Sequence, residues 1–89
     1  MDAVVPNPVK MTPLTQLPVG GHARIVKVDG GRLLLRRLLS LGLRVGAEVD
    51  LVQRRGRGVV VASQGSRVAL GAGVADKLWV QPLAPGRGG

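Results

Sequence analysis

The sequence has no cysteine, phenylalanine or tyrosine, and among its 89 residues it carries one tryptophan, one histidine and five acidic side chains. Without cysteine there is no disulfide-stapled scaffold, thiolate zinc finger, redox pair or Cys nucleophile. Packing alone must hold the fold. Proteins that grip single-stranded nucleic acid stack bases on aromatic rings, and polyproline readers line a groove with them, so a chain with Trp79 alone is poorly equipped for either task. The single histidine comes with no Walker loop, Gly-x-Ser-x-Gly elbow or His-Glu-x-x-His pair, and an enzyme is therefore not expected. Long apolar runs are missing as well: Leu33 to Leu35 and Val59 to Ala62 fall far short of a membrane span, and Asp2, Pro6 and Pro8 interrupt the start of the chain. A soluble cytoplasmic protein is the expectation.

What the chain does have is positive charge and turn residues. Thirteen Lys and Arg against five Asp and Glu leave a formal +8, which favours nucleic acid, anionic lipid headgroups or an acidic protein surface as partner. The arginines are spread along the sequence and do not collect on one recognition helix, which places duplex binding behind protein binding. A membrane-surface adaptor ranks lower again, because the chain shows neither an acyl anchor nor a long apolar face. With 45% apolar residues the chain can bury a core, and 14 glycines and 6 prolines suit many short elements joined by tight turns. A single β-rich domain over residues 11–83 follows, with 1–10 and 84–89 read as flexible ends.

Pattern along the chain fills in that outline. Thr12 and Pro13 are placed to start a short helical turn carrying Leu14 and Leu17, and Gly20-Gly21 then turns the chain. His22 to Val28 reads as the first strand. Ala23 and Ile25 share one face while Val26 and Val28 fall on the other, and a bulge near Val26 reconciles them. Arg32 to Leu41 is the one clear helix: Leu34, Leu38 and Leu41 recur at i, i+4 and i+7 beside Leu35 and Leu39, with Arg32, Arg36, Arg37 and an exposed Leu33 opposite. Leu34 and Leu38 are expected in the core. Gly42 stands at the left-handed C′ position of a Schellman ending, with Leu43 as the C″ residue. Glu48 to Gln53 alternates with Val49 and Leu51 inward, Arg54 to Gly58 reads as a basic hairpin loop, and Val59 to Ala62 as a buried strand. Gln64-Gly65 or Gly65-Ser66 makes a second hairpin turn before Val68 and Leu70. A last strand from Leu78 puts Val80 in and Trp79 out, and Pro82 ends it. The Gly-rich Arg55 to Gly58 lacks the Lys-Ser/Thr of a phosphate cradle and is a turn. The sum is a mainly β fold, a small closed or nearly closed barrel of about five strands with one α-helix inserted after the first.

Several of these residues carry a resemblance. The run Leu38-Leu39-Ser40-Leu41-Gly42-Leu43-Arg44-Val45-Gly46-Ala47-Glu48-Val49 is similar to the helix end, Leu-Gly-Leu turn and strand-opening glycine of the FeoA domain. Leu14 to Gly20, Val68 to Leu70 and Ala75 to Val80 support it, so the resemblance spans about Thr12 to Pro82; Gly71 and Gly73 depart from it by loosening a segment that is more often helical in the family. The resemblance implies an SH3-like β-barrel and a cytoplasmic, non-enzymatic accessory of bacterial ferrous-iron uptake that binds the cytoplasmic GTPase region of the membrane transporter FeoB. The same domain also occurs fused to iron-dependent repressors, and a stand-alone chain of this length favours transport. The alternative is a basic nucleic-acid-binding barrel or a regulator's C-terminal-type domain.

Two sets of candidate site residues remain. One histidine cannot build a metal centre that wants three or four ligands, and the strong acidic candidates are Asp2, Asp29, Glu48, Asp50 and Asp76. No closed single-chain site is expected. A divalent ion, if bound, would be shared between the two chains of a homodimer through His22, Glu48 and Asp50, since symmetry doubles each ligand. For a protein partner the candidates are Leu33, Arg36 and Arg37 on the helix, and Trp79 as a lone outward aromatic. Contact with a membrane would then be indirect, through the transporter.

Overall fold

The computed structural model describes residues 11–83; the two end segments expected to be loose lie outside the described residues. The elements are β1 (Thr12–Pro13), a 3-10 turn (Leu14–Gln16), β2 (His22–Val28), α1 (Arg32–Ser40), β3 (Glu48–Arg55), β4 (Gly58–Ser63), β5 (Ser66–Leu70), α2 (Ala72–Ala75) and β6 (Leu78–Pro82). All six strands join one antiparallel sheet in the order β1-β6-β2-β3-β4-β5. The mainly β architecture with a helix after the first long strand is as expected, but the closure is not. The sheet is open, with β1 and β5 at its edges. β1 is only two residues long, and Pro13 has no N–H to offer, so it cannot bridge across to β5.

Local chemistry accounts for most boundaries. The register between β2 and β6 slips between Ile25 and Lys27, which is the bulge expected at Val26. It keeps Ala23 and Ile25 buried while letting Val28 pack against the same core. A second bulge, between Leu51 and Gln53 on β3, has no counterpart in the alternation pattern. Thr12 does not cap the first turn; Pro13 takes that position, and no side chain caps it. α1 ends in the expected Schellman geometry: the Leu43 N–H donates to the Leu38 carbonyl (2.8 Å), the Gly42 N–H to Leu39 (3.0 Å), and Gly42 sits at φ +82°. The β3–β4 hairpin is tighter than expected, because pairing runs on to Arg55 and Gly58 and leaves Gly56-Arg57 as the turn. In the β4–β5 hairpin the turn is Gln64-Gly65, both at positive φ, the pairing typical of type I′ turns.

Fifteen buried apolar residues form one core, drawn from all five long strands, both helices and the loops around them. β4 contributes by strict alternation, with Val59 and Val61 inward, and is not the uniformly buried run its composition suggests. The helix departs most from expectation. Leu38 is 1% exposed and Leu34 only half-buried, whereas Leu35, Leu39 and Leu41 are 38%, 55% and 40% exposed. A nine-residue helix that meets the core only through Leu38 and the half-buried Leu34 buries one narrow stripe, so the wide leucine face is mostly left in solvent.

Candidate functional site

The sheet register brings the metal candidates together in a way the linear sequence conceals. His22 on β2 pairs with Asp50 on β3, and Arg24 with Glu48, so all four side chains share the outer face. The imidazole is held at both ends: Nδ1 lies 2.7 Å from Asp50 Oδ1 and Nε2 2.9 Å from Glu48 Oε1. Arg24 Nη2 donates to the second Glu48 oxygen at 3.1 Å. Two acceptors at opposite ends of one ring require both ring nitrogens to carry protons, so the arrangement is that of an imidazolium.

The charges follow from that geometry. Hydrogen bonds to Asp50 and then Glu48 raise the His22 pKa above its ordinary 6.5 against a small desolvation cost. The same contact with His22, and then Arg24, lowers Glu48 below 4.5. A raised histidine stabilises the fold fully below pH 6.5, and that contribution fades as pH climbs through the folded value. A depressed glutamate stabilises it above pH 4.5, with loss as pH falls through the folded value. The cluster therefore contributes most between those two limits. Thermal midpoints should decline slightly as pH rises from about 6.5 through the folded value of His22 in the wild type, and His22→Gln should flatten that slope. An identical slope in the variant would show that the cluster does not couple to folding.

As a ligand set the triad is badly disposed, because the two carboxylates sit on opposite sides of the ring and do not converge on one point. Among the described residues no group of three or more His, Asp or Glu side chains is placed to hold a metal ion. An ion shared with a second chain would have to displace a proton and a carboxylate from His22. Asp76 accepts a hydrogen bond from Thr15 Oγ1 (2.8 Å). Arg54, which the sequence pattern assigns to a hairpin loop, is a structural tie whose Nη2 donates to the Leu17 carbonyl at 2.6 Å.

The partner-binding candidates lie elsewhere. Leu33 is 81% exposed, with Arg36 and Arg37 exposed beside it on α1. α1 has no side-chain N-cap and no acid in its first turn, and Arg32 stands at the positive end of the helix dipole, whereas Arg37 in the last turn complements the negative end. Trp79 is set apart from that surface. It sits half-buried on β6, between Pro13 of β1 and Lys27 of β2, and covers the sheet's outer face more than it projects from it. Sequence reasoning missed a groove between α1 and the β5 end of the sheet. Arg37, Leu38 and Leu41 form one wall of a recess of about 100 Å³, and Ala69, Leu70, Gly71 and Val74 form the other. Nothing in the periodicity of either element signals it, since it exists only where the two meet. No helix among the described residues is long and apolar enough to cross a membrane.

Comparison with known proteins agrees with this architecture. Residues 12–82 match the family model of the FeoA domain. A protein of Methanocaldococcus jannaschii assigned by name to Fe(2+) transport (protein A) is 30% identical over 71 residues, which cover 80% of this chain and 87% of that protein. The crystal structure of an iron uptake regulatory protein (FeoA) aligns with a TM-score of 0.77 at 28% identity, covering 83% of this chain and 99% of the other. The solution structure of the FeoA protein from Chlorobium tepidum gives 0.75 at 26%, covering 86% and 75%. A manganese-dependent transcriptional repressor also aligns, at 0.76 and 26% identity, but the match spans 89% of this chain and only 45% of the repressor. The SH3-like fold is common to them.

Proposed function

The chain belongs to the FeoA domain family, and on that premise we propose that it is a non-enzymatic cytoplasmic accessory of ferrous-iron uptake that works by binding the cytoplasmic GTPase region of a FeoB-type transporter. The family match over residues 12–82 carries the reading. Two observations support the parts that go beyond it. His22, the only histidine, is engaged by carboxylates at both ring nitrogens, which leaves neither free to activate a nucleophile. The outer face of α1 exposes leucine among arginines, which suits an acidic, partly apolar partner.

The test is a binding titration against the transporter's cytoplasmic region. Arg36→Glu with Arg37→Glu should leave the fold intact, because both side chains are exposed. It should weaken binding by about 1 kcal/mol or more, about fivefold, within the range for interface charges. A double variant that folds normally and supports full iron uptake in cells would reduce the helix face to a solvated surface. The second reading, a nucleic-acid-binding or regulator-type domain, draws on the +8 charge and the likeness to part of a transcriptional repressor. It predicts a steep salt dependence: a duplex binder with six or more phosphate contacts loses about a thousandfold in affinity between about 50 and 200 mM salt. Duplex affinity of that kind, with no binding to the transporter region, would reverse the order.

A further inference from the structure

Unprotected sheet edges invite pairing, and folded proteins normally blunt them with brevity, proline, charged side chains, bulges or cover, of which β5 has only the charge of Arg67. Here the two edges differ. β1 is two residues long and includes Pro13. β5 runs for five residues in unbroken register with β4, contains no proline and carries no bulge. In a two-residue hairpin the closing pair exchanges both of its hydrogen bonds, so Ser63–Ser66 does, and Val61–Val68 and Val59–Leu70 follow by alternation. The N–H and C=O groups of Arg67 and Ala69 therefore point outward. Both residues are exposed, and among the described residues neither backbone has a partner on that side.

A wall faces this edge. The recess of about 100 Å³ lies where Ala69 to Gly71 leave β5 and Leu41 and Arg37 overhang from α1. A second concavity at the other end of the strand is lined by Leu39, Gly42 and Arg44 opposite Gln64 of the β4–β5 turn. Two separate recesses thus flank β5 at its two ends, each walled by the C-terminal end of α1 or the turn that follows it. In such a layout an extended peptide can add a strand to a sheet edge while a neighbouring pocket reads one of its side chains. Apolar cavities of about 150 Å³ accept a benzene ring, so the smaller recess suits an aliphatic side chain. The charge around the two recesses has one sign: Arg37 and Arg44 line them, Arg67 lies on the strand, and neither recess is lined by an Asp or Glu. A second copy would set arginine against arginine.

We propose that the β5 edge and the smaller recess beside α1 form a docking site for an extended segment of a partner protein that pairs with β5, seats an aliphatic side chain in that recess and carries acidic residues on either side. This rests on the partner-binding reading above and specifies the chemistry of the segment bound. Two probes test it by amide exchange and chemical shifts on the labelled full chain: a capped eight-residue peptide alternating Val and Glu with a central Leu, beside its Lys-for-Glu counterpart, and the transporter's cytoplasmic region. The acidic peptide should slow exchange at Arg67 and Ala69, and the lysine peptide should not. Ala69→Pro, which removes an outward N–H that the β4 ladder does not use, and Arg44→Glu with Arg67→Glu should each weaken it at least tenfold. The paired charge reversal guards against misfolding of the proline variant. Binding of the cytoplasmic region with unchanged β5 amides would remove this site while leaving the proposed function standing. Equal response to both peptides, indifference to both probes, or protection at β5 that appears only as the chain dimerises would each overturn the proposal.

Discussion

Leu38→Ala should destabilise the protein by about 2–5 kcal/mol, the range for a buried leucine truncated in a core that cannot fully collapse. Leu38 is the one buried residue of α1, at 1% exposure, and the half-buried Leu34 is the other α1 side chain packed against the core. An isolated nine-residue helix is marginal in water, so α1 persists because this side chain is buried beneath it. Alanine is the better helix former, and the Schellman bond at the helix end is retained, since the residue 38 carbonyl still accepts from the Leu43 N–H. The loss measured is therefore packing. Against a total stability of about 5–15 kcal/mol for a small domain, it is a large fraction. Urea denaturation should show the midpoint fall at nearly constant slope, and Leu39→Ala, at 55% exposure, should move it by about 0.5 kcal/mol or less. Equal effects of the two substitutions would mean that α1 is not anchored through Leu38.

Much of this architecture is legible in the sequence because it is encoded locally. The Val26 bulge follows from two valines on the wrong face, and the end of α1 from Leu38, Gly42 and Leu43 standing at Schellman spacing. The breadth of the helix's buried face is not legible. Period alone groups Leu34, Leu35, Leu38, Leu39 and Leu41, but only tertiary packing decides how much of that arc is covered, and α1 meets the core only through Leu38 and the half-buried Leu34. Closure escapes the pattern for a related reason. Five strands of adequate alternation suggest a barrel, whereas the bonds that would seal it depend on β1, where Pro13 withholds a donor. His22, Glu48 and Asp50 are candidate ligands by their chemistry, and they do meet. Their meeting as an ion cluster, with Arg24 as a fourth member, depends on a β2–β3 register that no single strand contains.

The glycines separate two kinds of constraint, and Gly58→Ala should show the harsher one. A Cβ at Gly58 would lie 2.5 Å from the Leu70 carbonyl oxygen and 3.3 Å from Gly71 Cα. Both are backbone atoms, which cannot swing aside as a side-chain tip would, so relief requires moving the Val59–Leu70 end of the β4–β5 ladder. The expected cost is about 1–3 kcal/mol, the range for overpacking. Gly73 makes the internal control. Its Cβ would meet nothing within 4 Å and its φ lies outside the left-handed region, so Gly73→Ala within α2 should stabilise by about 0.4–1 kcal/mol through lower unfolded-state entropy and better helix propensity. The two alanines should thus shift the urea midpoint in opposite directions. If both lower it, α2 is held in a geometry that alanine does not fit; if neither does, β4 and β5 are looser at this end than their register implies. The contact also bears on binding, because Leu70 and Gly71 line the recess beside α1. A shift there should change the chemical environment of Ala69 and Arg37 as well as the stability, and comparison of their amide resonances in Gly58→Ala and Gly73→Ala proteins would register it. Perturbation of both amides in the first variant and neither in the second is the expected result.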